Sequence, residues 1–152
     1  MEPDNTHCES TLMVRPEHLN HHGYLFGGRL LEWLDEQSYI AAMRQLKPKA
    51  NLVTVAIDRV EFQGPAHDGD LLRFHSHLVH IGRSSLTTYT EVDVMPATRR
   101  IFQAYVTYVA LNKKGRPTNV AALLLRPFRP ETKEDRKRWQ EVEDARRLRQ
   151  GN

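Results

Sequence analysis

The stretch Gly28-Arg-Leu-Leu-Glu-Trp-Leu-Asp-Glu-Gln-Ser-Tyr-Ile-Ala-Ala-Met-Arg-Gln-Leu46 decides the fold, because the hydrophobic period changes directly after it. Leu30, Leu31, Leu34, Ala41, Ala42 and Leu46 recur at three- and four-residue intervals, which puts them on one side of a helix. Glu32, Asp35, Glu36 and Tyr39 gather on another side, and Pro48 closes the run. Next comes Leu52-Val-Thr-Val-Ala-Ile-Asp-Arg-Val-Glu-Phe62, rich in β-branched residues and long for a strand. A turn cluster at 63–70 leads to Leu72, Phe74, Ser76 and Leu78, which alternate with Arg73, His75 and His77 as in a half-buried antiparallel strand. Leu86–Val94 and Ile101–Leu111 read as two more strands, and Val120–Leu125 as a last one. Ahead of the helix, residues 10–15 form a short strand stopped by Pro16, followed by the polar loop 18–28.

A short strand, one long helix and then a run of antiparallel strands make an α+β layout. One helix cannot cover both faces of a five- or six-stranded sheet, so the uncovered face is expected to pair with another subunit. Residues 131–152 form a charged helical extension behind a domain at 1–130. Thr132 and Asp135 approximate a capping box there, with Trp139, Val142 and Leu148 as apolar anchors, and the helix reads as exposed or partner-packed.

Composition narrows the function classes. The 152 residues fit one domain, since domains run roughly 100–200 residues. Twenty-two Lys and Arg against 19 Asp and Glu leave +3, too little for a nucleic-acid tail. The C-terminal helix carries seven basic and six acidic residues, a near balance that argues against nucleic acid as well. The longest apolar stretch, the six residues Val120–Leu125, is far below the roughly 20 that a spanning helix needs, so no membrane partner is expected. The polar N-terminus does not read as a signal peptide. A single cysteine, Cys8, excludes an internal disulfide framework and suits a reducing cytoplasm.

Several residues offer chemistry. His18, His21 and His22 share a loop, and His75 and His77 share a strand face. Zinc needs three or four ligands in a defined geometry, and neither Cys-x-x-Cys nor His-Glu-x-x-His is present, so solvated histidines and no metal are expected. Gly27-Gly28 at the helix start supplies unpaired N–H groups, suited to an oxyanion hole or simply to a tight loop. Asp35, two turns in, is a candidate general base or nucleophile, or one member of a solvated acidic face. His80-Ile-Gly-Arg-Ser-Ser85 combines a guanidinium and hydroxyls suited to phosphate, or is a plain strand connection.

The joint order of these pieces resembles a known family. Asn20-x-x-Gly23-x-x-Phe26-Gly27-Gly28 with Asp35 seven residues on, then Val53–Asp58, Val60-Glu61-Phe62, Pro65…Gly69-Asp70, Gly82-Arg83-Ser84-Ser85, Val109-Ala110-Leu111…Gly115-Arg116-Pro117 and Pro130-Glu131-Thr132, is similar to hotdog-fold acyl-CoA thioesterases of the YciA/BACH-like kind. The likeness runs over roughly residues 12–150. It implies an antiparallel sheet wrapped around one long helix, sites between subunits, and dimers that trimerise into hexamers. It further implies hydrolysis of acyl-CoA to acid and CoA in the cytoplasm, within fatty acid metabolism. Asp35 would be the catalytic carboxylate and Asn20 its partner from the adjoining protomer. Gly27 and Gly28 would hold the carbonyl oxygen, and Thr54, Arg83, Ser84 and Ser85 would lie near the catalytic or CoA-binding cleft. No cofactor is implied beyond the CoA of substrate and product. The alternative is a hotdog protein that senses acyl-CoA without hydrolysing it. His21-His22, Arg29 and Glu32-Trp33 depart from the family's usual smaller residues.

Overall fold

The structure, a computed structural model, describes residues 6–151. Five strands form one antiparallel sheet: β1 (His7–Met13), β2 (Asn51–Phe62), β3 (Leu71–Ile81), β4 (Ser85–Met95) and β5 (Arg99–Leu111), in the order β1-β3-β4-β5-β2. The long helix α1 (Gly27–Met43) follows β1 and lies across β3 and β4; the last helix, α2, spans Lys133–Gln150. This is the hotdog arrangement, with the sheet curled round α1.

Each element follows from its pattern. Leu30, Leu34, Ser38, Ala41 and Ala42 are buried along α1, the stripe that the three- and four-residue spacing placed there. On β3, Leu72, Phe74 and Leu78 turn inward with Leu86, Val92, Phe102, Val106 and Tyr108 from β4 and β5, forming the main core against α1. Fully burying a side chain such as Leu34 contributes about 1.5–3 kcal/mol, and the repeat of that gain along α1 fixes helix to sheet. Inside this core Ser38 bonds Thr90 at 2.8 Å and Thr90 bonds Ser76 at 2.7 Å, so the buried hydroxyls satisfy one another.

Four expectations change. β1 begins at His7 rather than residue 10, because the polar residues before Ser10 pair with β3 as far as His77. α1 ends at Met43; Gln45 and Leu46 instead donate to Ala42 and Met43 in a tighter final turn ahead of Pro48. Val120–Leu125 is not a strand: Ala121–Leu123 is a single 3-10 turn, held by Lys47 N–H on Leu123 O and Leu125 N–H on Gln45 O. It seals the end of α1, and the sheet has five strands among the described residues.

The fourth change concerns α2, expected to be exposed or packed on a partner. It lies on the outer face of its own sheet, opposite α1. The capping box forms as expected, with Asp135 N–H donating to Thr132 Oγ1 and Thr132 N–H to Asp135. Val142 is buried with Val79, Tyr89 and Tyr105, and Trp139 packs on His80 with ring centroids 4.2 Å apart, whereas Leu148 is 75% exposed and anchors nothing. A register shift between Leu78 and His80 lets two successive residues, Val79 and His80, both meet α2. At the far edge Arg59, at φ 51° within a second β2 irregularity, reaches Glu141 at 3.3 Å, and Arg149 reaches Asp58 at 3.2 Å. The outer face is thus partly occupied by the chain itself. No helix among the described residues is long and apolar enough to cross a membrane.

Candidate active site

Asp35 follows the buried Leu34 by one residue, about 100° further round the helix, so its carboxylate emerges half-buried at the margin where α1 meets β2. Two residues grip that turn. Thr54 of β2 donates its hydroxyl to Asp35 Oδ1 at 2.8 Å. Tyr108 of β5, paired in register with Thr54, donates its buried hydroxyl to the Asp35 main-chain oxygen at 3.1 Å. One rung of the sheet therefore fixes both the side chain and the backbone of Asp35. Burial first, and the Asp35 charge second, push the Tyr108 phenol pKa upward, so its hydroxyl stays a donor.

Asn20 sits in the loop before α1. Its Oδ1 accepts from the N–H groups of His22 at 2.9 Å and Tyr24 at 3.1 Å, and its own N–H donates to Tyr24 O at 2.7 Å. Gly23, at φ +80°, supplies the left-handed residue the reversal requires. With Oδ1 engaged, the NH2 of Asn20 is the group left to act outside the loop, and it makes no hydrogen bond to Asp35 of the same chain among the described residues. The pair nominated from the sequence is not brought together within one chain.

Gly27 and Gly28 open α1. Phe26, at the N-cap, offers no side-chain acceptor, and its N–H goes to His18 O at 2.9 Å. Among the described residues neither glycine N–H has an acceptor, and the helix dipole adds positive potential at the same place. A Cβ at Gly28 would lie 2.5 Å from the Phe26 ring, so glycine keeps the helix start open. The eight residues from Gly27 to Asp35 span about 12 Å of helix.

Arg83 and Ser84, with Pro117, Thr118 and Asn119, line a surface depression at the β3–β4 turn. Ser85 pairs with Val109, which pairs with Val53 on β2, so this turn and Thr54 share one end of the sheet. About 10 Å, two strand spacings, separate them. Nothing in the sequence singles out Tyr108 beyond a hydroxyl at an inward position of a core strand.

The chain surface beside the site is apolar. Val53, Val55 and Ile57 on β2, whose outer edge is unpaired among the described residues, Phe26 ahead of α1, and Tyr39 and Ile40 on α1 are all exposed in the isolated chain.

Comparison with known proteins agrees with this fold. The sequence profile of the thioesterase superfamily matches residues 22–94. An uncharacterized acyl-CoA thioester hydrolase of Zymomonas mobilis is 32% identical over 113 residues, 72% of this chain and 74% of that protein. The rat cytosolic acyl coenzyme A thioester hydrolase is 29% identical over 149 residues, covering 92% of this chain, which spans only 37% of the rat protein. Among solved structures, an acyl-CoA hydrolase from Staphylococcus aureus in complex with butyryl-CoA and CoA superposes with a TM-score of 0.78 at 27% identity, covering 97% of this chain and 89% of that one. An apo-hexameric acyl-CoA thioesterase superposes at 0.82 with 26% identity, covering 97% and 92%. The Staphylococcus aureus hydrolase has also been solved with alanine in place of an aspartate, an asparagine or a threonine.

Proposed function

The chain belongs to the thioesterase superfamily, and we propose that it hydrolyses acyl-CoA thioesters to a carboxylic acid and CoA at sites shared by two protomers. The observation that carries the reading is the separation of parts along α1. A base and an oxyanion donor must both lie about 3 Å from the reacting atoms of one carbonyl. Gly27 and Asp35, about 12 Å apart on the same rigid helix, cannot serve one thioester.

Two chains related by a two-fold axis resolve this. If their α1 helices run antiparallel, Gly27, Gly28 and Asn20 of one protomer face Asp35 of the other, giving two equivalent sites. The unpaired β2 edge, with Val53, Val55 and Ile57 exposed, suits joining of the two sheets, since a bare apolar edge invites another strand. The asparagine and aspartate replaced in the Staphylococcus aureus hydrolase stand fifteen residues apart, the separation of Asn20 and Asp35 here. The assembly proposed is a dimer of hotdogs, three of which form a hexamer like the hexameric neighbour.

In this site the thioester oxygen lies against the Gly27 and Gly28 N–H groups, which stabilise the charge that develops on it. The Asn20 NH2 orients the attacking water or the substrate. Asp35, held by Thr54, removes a proton from that water, or attacks the acyl carbon itself and is then released by water. The thiolate of CoA leaves. Its phosphates are placed toward Arg83, Ser84 and Ser85.

The test is release of free thiol by the full chain from a panel of short, medium, long and aromatic acyl-CoAs. Saturable release from at least one class is expected. Tight CoA-ester binding with no thiol release from any of them overturns hydrolysis and leaves a sensing role.

A further inference from the structure

We infer that His7, His75 and His77 form a binding site for a single divalent transition-metal ion of the zinc class. β1 adds to β3 with His7 opposite His77 and Glu9 opposite His75. Residues two apart on a strand point to the same face, so β3 supplies two imidazoles and the edge strand supplies the third.

The ring nitrogens already lie close together. His7 Nδ1 and His75 Nε2 are 2.8 Å apart, and one ring nitrogen from each histidine lies within 4.8 Å of the other two. Tetrahedral zinc, with metal–nitrogen bonds of about 2.0–2.1 Å, sets its ligand atoms about 3.3 Å apart. The three rings are stacked at interplanar angles of 13–29°, so the exposed His7 and half-buried His75 rings turn on binding to aim their nitrogens at one ion.

A second observation points to a ligand. His77 is only 8% exposed, and its Nδ1 has no hydrogen-bond partner among the described residues. Buried imidazole nitrogens are ordinarily paired; a metal bound within the cluster supplies a reason for this ring to be held among two others. A cavity beside the cluster, lined by His7, His77, Thr6, Glu131 and Asp135 among others, gives an entry path and two carboxylates for an outer shell. Three imidazoles suit zinc, cobalt, nickel or copper rather than magnesium or calcium.

The cluster lies on the outer face near the β1 edge, whereas Asp35 is on α1 across the sheet beside β2. The ion would therefore staple β1, which among the described residues pairs with β3 alone, to the sheet beside the start of α2 and take no part in hydrolysis.

The test uses the untagged full chain, freed of metal by chelator and titrated with cobalt(II) as spectroscopic probe and zinc(II) as competitor. One cobalt per chain is expected, with visible ligand-field bands that zinc abolishes, and zinc should raise the melting temperature. His7→Ala and His75→Ala should each weaken cobalt binding roughly tenfold or more and remove the zinc-dependent rise in melting temperature. The double variant His21→Ala/His22→Ala should behave as the unaltered chain. Absence of bands at one equivalent, their persistence in both His7→Ala and His75→Ala, or their loss in the His21/His22 control overturns the inference.

Discussion

Replacing Thr54 by Val probes how Asp35 is held. The hydroxyl donates to Asp35 Oδ1 at 2.8 Å, while valine keeps the shape and the β-branching that suits a strand. A hydrogen bond to a charged group contributes about 1.5–3 kcal/mol. Thr54 is on an exposed edge strand of the isolated chain, where water competes, so about 1–1.5 kcal/mol is the appropriate part. Since about 1.4 kcal/mol is tenfold in rate, kcat should fall roughly 5- to 12-fold. KM should change less than about twofold, because the lost contact orients the catalytic group and not the substrate. Thr54→Ser, which restores the donor, should recover at least about half the rate. Thiol release measured across acyl-CoA concentrations separates the two constants. A Thr54→Val enzyme within about twofold of normal kcat, or a Thr54→Ser enzyme as slow as Thr54→Val, would refute the positioning role.

Two further outcomes follow from the packing and the buried charges. Leu34→Ala, at a position with no exposed surface beneath the Asp35 turn, should cost about 2–5 kcal/mol by leaving a cavity; urea unfolding measures it, and a loss below about 1 kcal/mol would mean that α1 is not pinned there. Stability should also fall as pH drops below about 6.5, because burial lowers the His80 pKa from its usual 6.5 even though Glu143 bonds it at 2.6 Å. In that window the unfolded chain takes up a proton that the native chain refuses, so the native state loses ground toward acid. Glu143, whose pKa is lowered chiefly by the same hydrogen bond, adds a further loss below about 4.5. Melting temperatures between about pH 7.5 and 5.5 should therefore decline, and less steeply in His80→Gln; equal slopes would contradict the assignment.

The sequence carries the architecture where hydrophobic period is strong. α1 and the four strands from Asn51 to Leu111 are legible because their apolar residues repeat at 3.6 or at 2. The run Val120–Leu125 has no alternation, and a short apolar run does not separate strand from turn; only its bonds to Lys47 and Gln45 decide. The start of β1 escapes notice because His7 and Cys8 give no strand signal of their own and are recruited by pairing with β3. The same pairing joins His7 to His75 and His77, so a three-histidine cluster looks in the sequence like a pair and a stray. α2 announces its cap and its anchors Trp139 and Val142, yet not the face it covers, because that depends on the bulge at His80 and on Arg59 and Tyr105 contacting Glu141. For the site, spacing alone leaves Asp35 no more prominent than Glu36. Geometry separates them: Thr54 and Tyr108 converge on Asp35.

The proposal that two protomers share each site is tested most directly by mixing two defective chains. Asp35→Ala and Asn20→Ala should each release almost no CoA from an acyl-CoA that the unaltered protein hydrolyses, while still assembling. Co-expressed in equal amounts, half the dimers are mixed, and each mixed dimer holds one intact site of two, so about a quarter of the normal rate should return. A mixture as inactive as its components, or an Asp35→Ala chain that hydrolyses at the normal rate, would contradict the account.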